Sequence, residues 1–375
     1  MNAESPEMSA DVGSVGGDLG AGPSINIKPL FKLMVQKQAS DLFFTPYAPI
    51  KIKIEGKIYS VNDQLLTNEM VRDLAHGIMS QDQINRFNEE REIDFAVSES
   101  GLGRFRVNIF HQRGNPAMVL RYITLDMPRI DNLGLPAQLK DLVMHKRGLV
   151  LMVGATGCGK TTTLAAMINH RNESSAGHII TIEDPIEFLH SNKQSIVNQR
   201  EIGLDTKSYA NALHSAMRAA PDVILIGEIR DRRTMEIALM MAGTGHLVLA
   251  TLHANNAAET VDRVINMFPH EQHKQICLDL SQYLRAIIAQ RLVPGKSKRR
   301  VAAVELLVNT PHIQQLIKNS DVMGIKEALT ARTDKSIQDF DAALYQLYKE
   351  ERITIEDALT HADSRANLEA KINFG

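Results

Sequence analysis

The chain has no tryptophan and only two cysteines, Cys158 and Cys277, in 375 residues. Neither a disulfide framework nor a four-thiolate zinc site can be made from them, and a reducing compartment is the simpler setting. Aromatic residues reach only 5%, and no stacking platform for single-stranded nucleic acid stands out. Neither sign of charge dominates: 42 Lys plus Arg stand against 44 Asp plus Glu, which excludes a global polycation built to coat nucleic acid. The local basic run Lys296, Lys298, Arg299 and Arg300 follows Pro294-Gly295 and reads first as a solvated turn. Nowhere do about 18 apolar residues run together, so no membrane-spanning helix is expected. No basic region followed by an apolar core opens the chain, so no secretory signal is visible. What remains reads as a cytoplasmic protein of two or three domains.

Residues 1–26 are rich in Gly, Ser, Ala and Asp and too poor in large apolar groups to offset the entropy of ordering, so a disordered arm is expected there. Order is expected from Ile27, where Leu30, Phe31, Met34 and Val35 recur at helical spacing. Ile50, Ile52 and Ile54 alternate with charged residues as a half-buried strand, Gly56 supplies a turn, and Ile58 to Val61 return. A helical stretch from about Asn68 to Asn88 precedes strands near Ile93–Val97, Arg104–Phe110 and Met118–Ile123, together a small α+β domain. Pro, Asp, Asn and Gly between Pro128 and Leu135 suggest a linker. Beyond it, Leu149–Val153, His178–Ile182, Val223–Ile226 and Leu247–Ala250 are short apolar runs separated by helical segments. Strands buried on both faces lose their alternation, so these runs predict a parallel sheet covered by helices. The C-terminal third reads as helical: Ile276–Gln290, His312–Lys318, and a face of Phe340, Leu344, Leu347 and Tyr348.

Gly154, Ala155, Thr156, Gly157, Cys158, Gly159, Lys160 and Thr161 fit the pattern G-x-x-x-x-G-K-[ST], directly after an apolar strand and before a helix that takes in Thr162. Glycines let successive backbone N–H groups turn inward around phosphate oxygens, and the helix N-terminus adds its positive dipole. Lys160 is expected to reach the β- and γ-phosphates and the Thr161 hydroxyl to ligate Mg²⁺. A helix N-terminus can lower a thiol pKa, but Cys158 is read as filling a small-residue slot.

Hydrolysis also needs a carboxylate to direct water. Two apolar runs end in one: Ile179–Ile182 leads into Glu183-Asp184-Pro185-Ile186-Glu187, and Val223–Ile226 into Gly227-Glu228-Ile229-Arg230-Asp231. Ligand sites of such sheets lie beyond the C-terminal ends of the strands, so both clusters belong beside the phosphates. Glu228 is the candidate for directing water; Glu183 and Asp184 are expected to share metal or water positioning.

These motifs, followed by Thr244-Gly-His246 and Thr251-Leu-His253-Ala-Asn255, occur in an order that resembles the secretion ATPases of bacterial type IV pili and type II secretion. Within them the sequence is most similar to the retraction ATPases of the PilT and PilU kind, from about Ile27 to the end. Ser195–Arg200, Phe340–Leu344 and Asp357–Asp363 lean towards PilU. The resemblance implies a PAS-like α+β domain over residues 27–130, then a RecA-like ATPase domain over 131–375 with a helical C-terminal extension. It implies ATP as substrate, Mg²⁺, a homohexameric ring, and a place in the cytoplasm at the inner-membrane base of a pilus. Partners would be a platform protein and a PilT-type retraction ATPase. Glu183 then belongs to an acidic box, while His246 and His253 belong to a histidine box. The two flank the apolar Leu247–Ala250 strand and are expected to bind at the nucleotide, sensing the γ-phosphate or relaying its loss across a subunit boundary.

In the stretch Arg104–Ile109, arginines alternate with Phe105, Val107 and Ile109, and Arg121 lies on a following strand. A positive side chain delivered in trans to the transferring phosphoryl group can be worth about 10³–10⁵ in rate. The resemblance gives that part to the N-terminal domain, making Arg106 and Arg121 the candidate fingers; a solvated basic strand face is the plainer reading. Two departures qualify the likeness. PilT-type proteins typically carry Ala-Ile-Arg-Asn-Leu-Ile where this chain has His312-Ile-Gln314-Gln315-Leu-Ile317, so a charge is lost, which fits an accessory, PilU-like motor. The four-cysteine metal insert of extension and type II ATPases has no counterpart here. A nucleic-acid translocase of the same superfamily is the alternative.

Overall fold

The computed structural model describes residues 27–54, 56–123, 126–297, 299–331, 334 and 336–374. The expected disordered arm, residues 1–26, lies outside them, as does Lys298 of the basic run. The chain divides at 125/126 into two compact units, each with its own core.

The first unit is a six-stranded antiparallel sheet of β1 (Asp41–Phe44), β2 (Pro49–Ile54), β3 (Lys57–Leu65), β4 (Glu92–Glu99), β5 (Gly103–Gln112) and β6 (Asn115–Ile123), in the order β3-β2-β1-β6-β5-β4. One face carries Ile50, Ile52, Phe105, Val107 and Ile109 into a core closed by three helices, and Phe31 stacks on Phe105 with ring centroids 4.0 Å apart. The helix expected over Asn68–Asn88 is two helices, Asn68–Ile78 and Gln81–Glu90. Ser80 divides them: its hydroxyl accepts from the Gln83 amide while Gln83 accepts from the Ser80 N–H, a reciprocal cap that starts a new helix.

The second unit carries seven strands: β7 (Gly148–Val153), β8 (Gly177–Glu183), β9 (Ser195–Glu201), β10 (Val223–Ile226), β11 (Leu247–Leu252), β12 (Leu284–Pro294) and β13 (Arg300–Val308). Their order is β13-β12-β7-β11-β10-β8-β9, parallel throughout except for β13. Every residue of β7 is buried. Leu149, Leu151 and Val153 enter the core on one side of the sheet, Val150 and Met152 the core on the other, so the strand reads as a continuous apolar run. Truncating such a residue, Leu151→Ala for example, costs about 2–5 kcal/mol.

The structure corrects two expectations here. Ile130, expected to close the first domain, is buried in the second unit's core on the short helix Ile130–Leu133. The helix expected over Ile276–Gln290 stops at Tyr283, and its second half is β12, lying parallel beside β7. Leu, Arg, Ala and Gln in β12 are good helix formers, but a buried slot between β7 and β13 outweighs propensities of a few tenths of a kcal/mol per residue.

Candidate nucleotide site

The glycine motif bridges the end of β7 and the helix Lys160–Ser174. Gly154, Gly157 and Gly159 adopt φ of 140°, 78° and 92°, a region closed to most L-residues, so the glycines make this turn possible. Ala155, Thr156, Gly157 and Thr161 are exposed, Lys160 and Thr162 partly so, and Cys158 is buried. Lys160 Nζ donates to the Gly154 and Ala155 carbonyls at 2.7 and 3.0 Å, which holds the ammonium over the loop. Gly159 is the N-cap, so the first turn's free amides open into the same loop.

The helix after β7 leads to β8, three places away in the sheet, with β11 and β10 between. Parallel pairing aligns the C-terminal ends: Leu252 pairs with Val153, Ile226 with Ala250 and Ile182 with Ile226. Beyond those ends lie the glycine loop, His253, Glu228 and the acidic box, in that order along the sheet edge.

Glu228 is held from both sides. His253 Nε2 lies 2.8 Å from its Oε1, and Arg230 Nε donates to its Oε2 at 2.7 Å. Arg230 also reaches towards Asp184, Nη1 to Oδ2 at 3.6 Å. The Thr251 hydroxyl bonds the Gly227 carbonyl, tying the end of β11 to the end of β10. A Cβ on Gly227 would stand 3.0 Å from Tyr209 Oη and 3.2 Å from Glu183 Cα, so glycine lets these strand ends close up. Burial, and next the Asp184 carboxylate, push the Tyr209 hydroxyl pKa well above its usual value, so it stays a hydrogen-bond donor.

The two box acids differ. Asp184 is exposed, with Arg230 beside it. Glu183 is only 6% exposed, and its Oε1 accepts from Thr181 Oγ1 at 2.6 Å and Gln199 Nε2 at 3.2 Å. Burial raises its pKa, with those two bonds acting against the rise. A carboxylate so enclosed braces the β8 end; this geometry argues against the metal- and water-directing part the sequence assigned to it.

His246 requires a second correction. It precedes β11, where its carbonyl accepts from the Gly148 amide, whereas His253 follows β11. The two histidines therefore mark opposite ends of a six-residue strand, about 20 Å apart at 3.3 Å per residue. His246, whose Nδ1 approaches the Met241 carbonyl at 3.2 Å, lies at the end of the sheet away from its own chain's phosphate loop.

In the first unit, Arg106 and Arg121 face each other in the β5–β6 register and Arg121 faces Asp41 across β6–β1. Arg121 Nε donates to the buried Asp41 carboxylate at 2.9 Å, while the arginine side chain remains 56% exposed. Arg106 Nε lies 3.7 Å from Asp94 Oδ1.

Two buried polar residues were not anticipated. Gln290 on β12 bonds both the glycine loop and the helix that follows it. Glu305 on β13 accepts the Ala257 amide at 2.7 Å and so anchors the segment after His253. Glu305 is the lone polar residue of the apolar run Val301–Val308, and Gln290 with Arg291 interrupts the run Ile287–Val293; those interruptions were the available signal.

A largely parallel sheet in which an interior strand ends in a glycine phosphate loop, with a clamped glutamate two strands away, defines a P-loop ATPase. The chain belongs to the type II/IV secretion system protein family, whose model matches residues 22–359. It is 49% identical to the type IV pilus ATPase PilU of Pseudomonas aeruginosa over 354 residues, 94% of this chain and 92% of that one. The type IV pilus retractation ATPase PilT of the same organism is 39% identical over 344 residues, covering 92% and 100%. Among solved structures, the pilus retraction motor PilT with bound ADP matches with a TM-score of 0.86 at 41% identity, over 92% of this chain and 99% of that one. The ATPase DotB of Legionella pneumophila matches at 0.74 and 27% identity, over 88% and 94%.

Proposed function

We propose that this protein is an ATP-hydrolysing motor of the type IV pilus machinery that powers or assists pilus retraction, in the manner of a PilU acting beside a PilT-type motor. The observation that carries the reading is the convergence, at one sheet edge, of the Lys160 loop with a glutamate gripped by His253 and Arg230. Near full-length similarity to pilus ATPases supplies the cellular setting.

The triphosphate lies along residues 154–162, its β- and γ-phosphates met by loop amides and by Lys160, which exchanges the Gly154 and Ala155 carbonyls for phosphate oxygens. Mg²⁺ suits the residues present: among the described residues no three His, Cys, Asp or Glu side chains converge, whereas an exposed Thr161 hydroxyl opens the helix. Mg²⁺ is commonly held by one or two protein groups together with phosphates and water, so Thr161 would hold it. Asp184, three strands away beside Arg230, lies beyond direct reach of the same ion. When bound, it neutralises charge on the phosphate oxygens. Glu228 accepts a proton from the attacking water, while His253 and Arg230 fix the orientation of its two oxygens.

Arg106 and Arg121 act in trans, on the nucleotide of a neighbouring subunit in a homohexamer. Asp41 takes the Arg121 Nε and leaves the two terminal amino groups for the phosphate. The first unit is read as PAS-like and the second as RecA-like with a helical extension. No helix among the described residues is long and apolar enough to cross a membrane. Residence at the inner-membrane base therefore rests on a platform partner. The test is deletion of this protein with pilus dynamics followed, in the presence and absence of a second retraction motor. Loss or slowing of retraction is expected; unchanged retraction in every background overturns the motor reading.

A further inference from the structure

Gln290 is 2% exposed and stands level with Gly154, because Ala289 pairs with Val153 across β12 and β7. Its amide makes two bonds of opposite sense. Nε2 donates to the Cys158 carbonyl at 2.7 Å, and Oε1 accepts from Thr163 Oγ1 at 2.8 Å. One side chain thus ties the glycine loop to the first turn of the helix that follows.

The first bond sets a direction. The peptide joining Cys158 to Gly159 is planar and trans, so its C=O and N–H point opposite ways. With the carbonyl drawn towards β12, the Gly159 N–H is turned away from it, towards the concave side of the loop where phosphate oxygens bind. The loop's own residues are shaped to the same neighbour. A Cβ on Gly159 would lie 2.7 Å from Gln290 Nε2, and one on Gly154 would press on the Gln290 carbonyl oxygen. Two of the motif's three glycines therefore lack a side chain where Gln290 fills the space.

We propose that Gln290 is a positioning residue for nucleotide binding: its amide orients the Cys158–Gly159 peptide so that the Gly159 N–H faces the phosphates. The Cys158 carbonyl and the Thr163 hydroxyl both take the Gln290 amide as partner, so losing it frees the peptide to rotate. The Gly159 amide then contributes to phosphate binding only in a fraction of molecules, and affinity falls by that fraction. The inference rests on the phosphate loop binding a nucleotide, as proposed above.

The test measures Mg²⁺–ADP binding to the full chain by calorimetry, and steady-state ATP hydrolysis, for the parent, Gln290→Ala, Gln290→Glu and Lys160→Ala. Gln290→Glu keeps the volume and the acceptor for Thr163 but loses the donor, so it is the variant expected to fold. Its affinity should drop at least about tenfold at pH 8, the worth of one buried hydrogen bond with its partner left unsatisfied. Affinity should return towards the parent's as pH falls, because a protonated carboxyl again donates to the Cys158 carbonyl. The KM for ATP should rise more than kcat falls. Parental affinity for ADP at pH 8 in folded Gln290→Ala as well as Gln290→Glu overturns the inference, and so does a loss of affinity in Gln290→Glu that acid does not relieve relative to the parent. Absence of binding by the parent, with Lys160→Ala indistinguishable from it, would instead overturn the nucleotide site itself.

Discussion

His253 Nε2 stands 2.8 Å from Glu228 Oε1, on the far side of that carboxylate from Arg230. The contact follows from strand order: β11 separates β7 from β10, so the residue after β11 falls between the phosphate loop and the glutamate. A carboxylate with both oxygens engaged has few orientations, which is what aiming a water molecule requires.

Replacing Glu228 by Gln should lower kcat for ATP by about 10²–10⁴, the usual worth of a general base, while leaving nucleotide binding within a few-fold. Steady-state hydrolysis alongside calorimetric ADP binding checks both halves. Hydrolysis at the parental rate would remove Glu228 from the mechanism.

His253→Ala frees one Glu228 oxygen and should lower kcat about tenfold or more with little change in KM. His253→Gln, whose amide can donate to the same oxygen, should recover part of the loss. Equal kcat for the two variants would show that the hydrogen bond to Glu228 is not what His253 contributes.

The pair Arg121–Asp41 gives a test of action in trans. Arg121→Ala and Lys160→Ala should each be nearly inactive alone, yet mixed assemblies should regain activity. At some boundaries of the mixture an intact Lys160 loop meets an intact Arg121. Hydrolysis no greater than the sum of the separate proteins would place the arginine elsewhere.

Glu305 sets a dependence of stability on pH. Burial raises its pKa from 4.5 to about 7, with the Ala257 amide acting in the opposite direction. The folded state therefore holds a proton that the unfolded chain releases near pH 4.5, and stability from this group declines as pH rises from 4.5 to 7. The whole decline is of the order of 3 kcal/mol. Glu305→Gln should flatten that slope and raise the unfolding midpoint at pH 8, read by thermal melts across pH. A slope unchanged in the variant would assign it to other groups.

Much of the site was legible because its chemistry is local. Lys160, Thr161 and the motif glycines lie within one turn, and their spacing is set by the geometry of wrapping a phosphate. Glu183 and Glu228 were recognisable as acids ending apolar strands, but Glu183 is bonded within the sheet while Glu228 is met by the exposed His253 and Arg230. Burial and the bonds from Thr181 and Gln199, which enclose Glu183, come from a neighbouring strand and from its own. His246 and His253 bracket a run the sequence already marks as a strand; which of them lies by the phosphate loop was set only by the parallel pairing of β11 with β7.

What the sequence determined by itself was the alternation of β5, the continuous apolar runs of the parallel strands and the phosphate loop, each encoded in residues a few positions apart. Only the tertiary structure made Leu284–Pro294 a strand, against its helix-forming residues, and so put Gln290 beside Gly154. The physical reason is that strand formation there depends on a partner, β7, more than a hundred residues earlier, whose buried edge offers hydrogen bonds and apolar cover that no local propensity can anticipate.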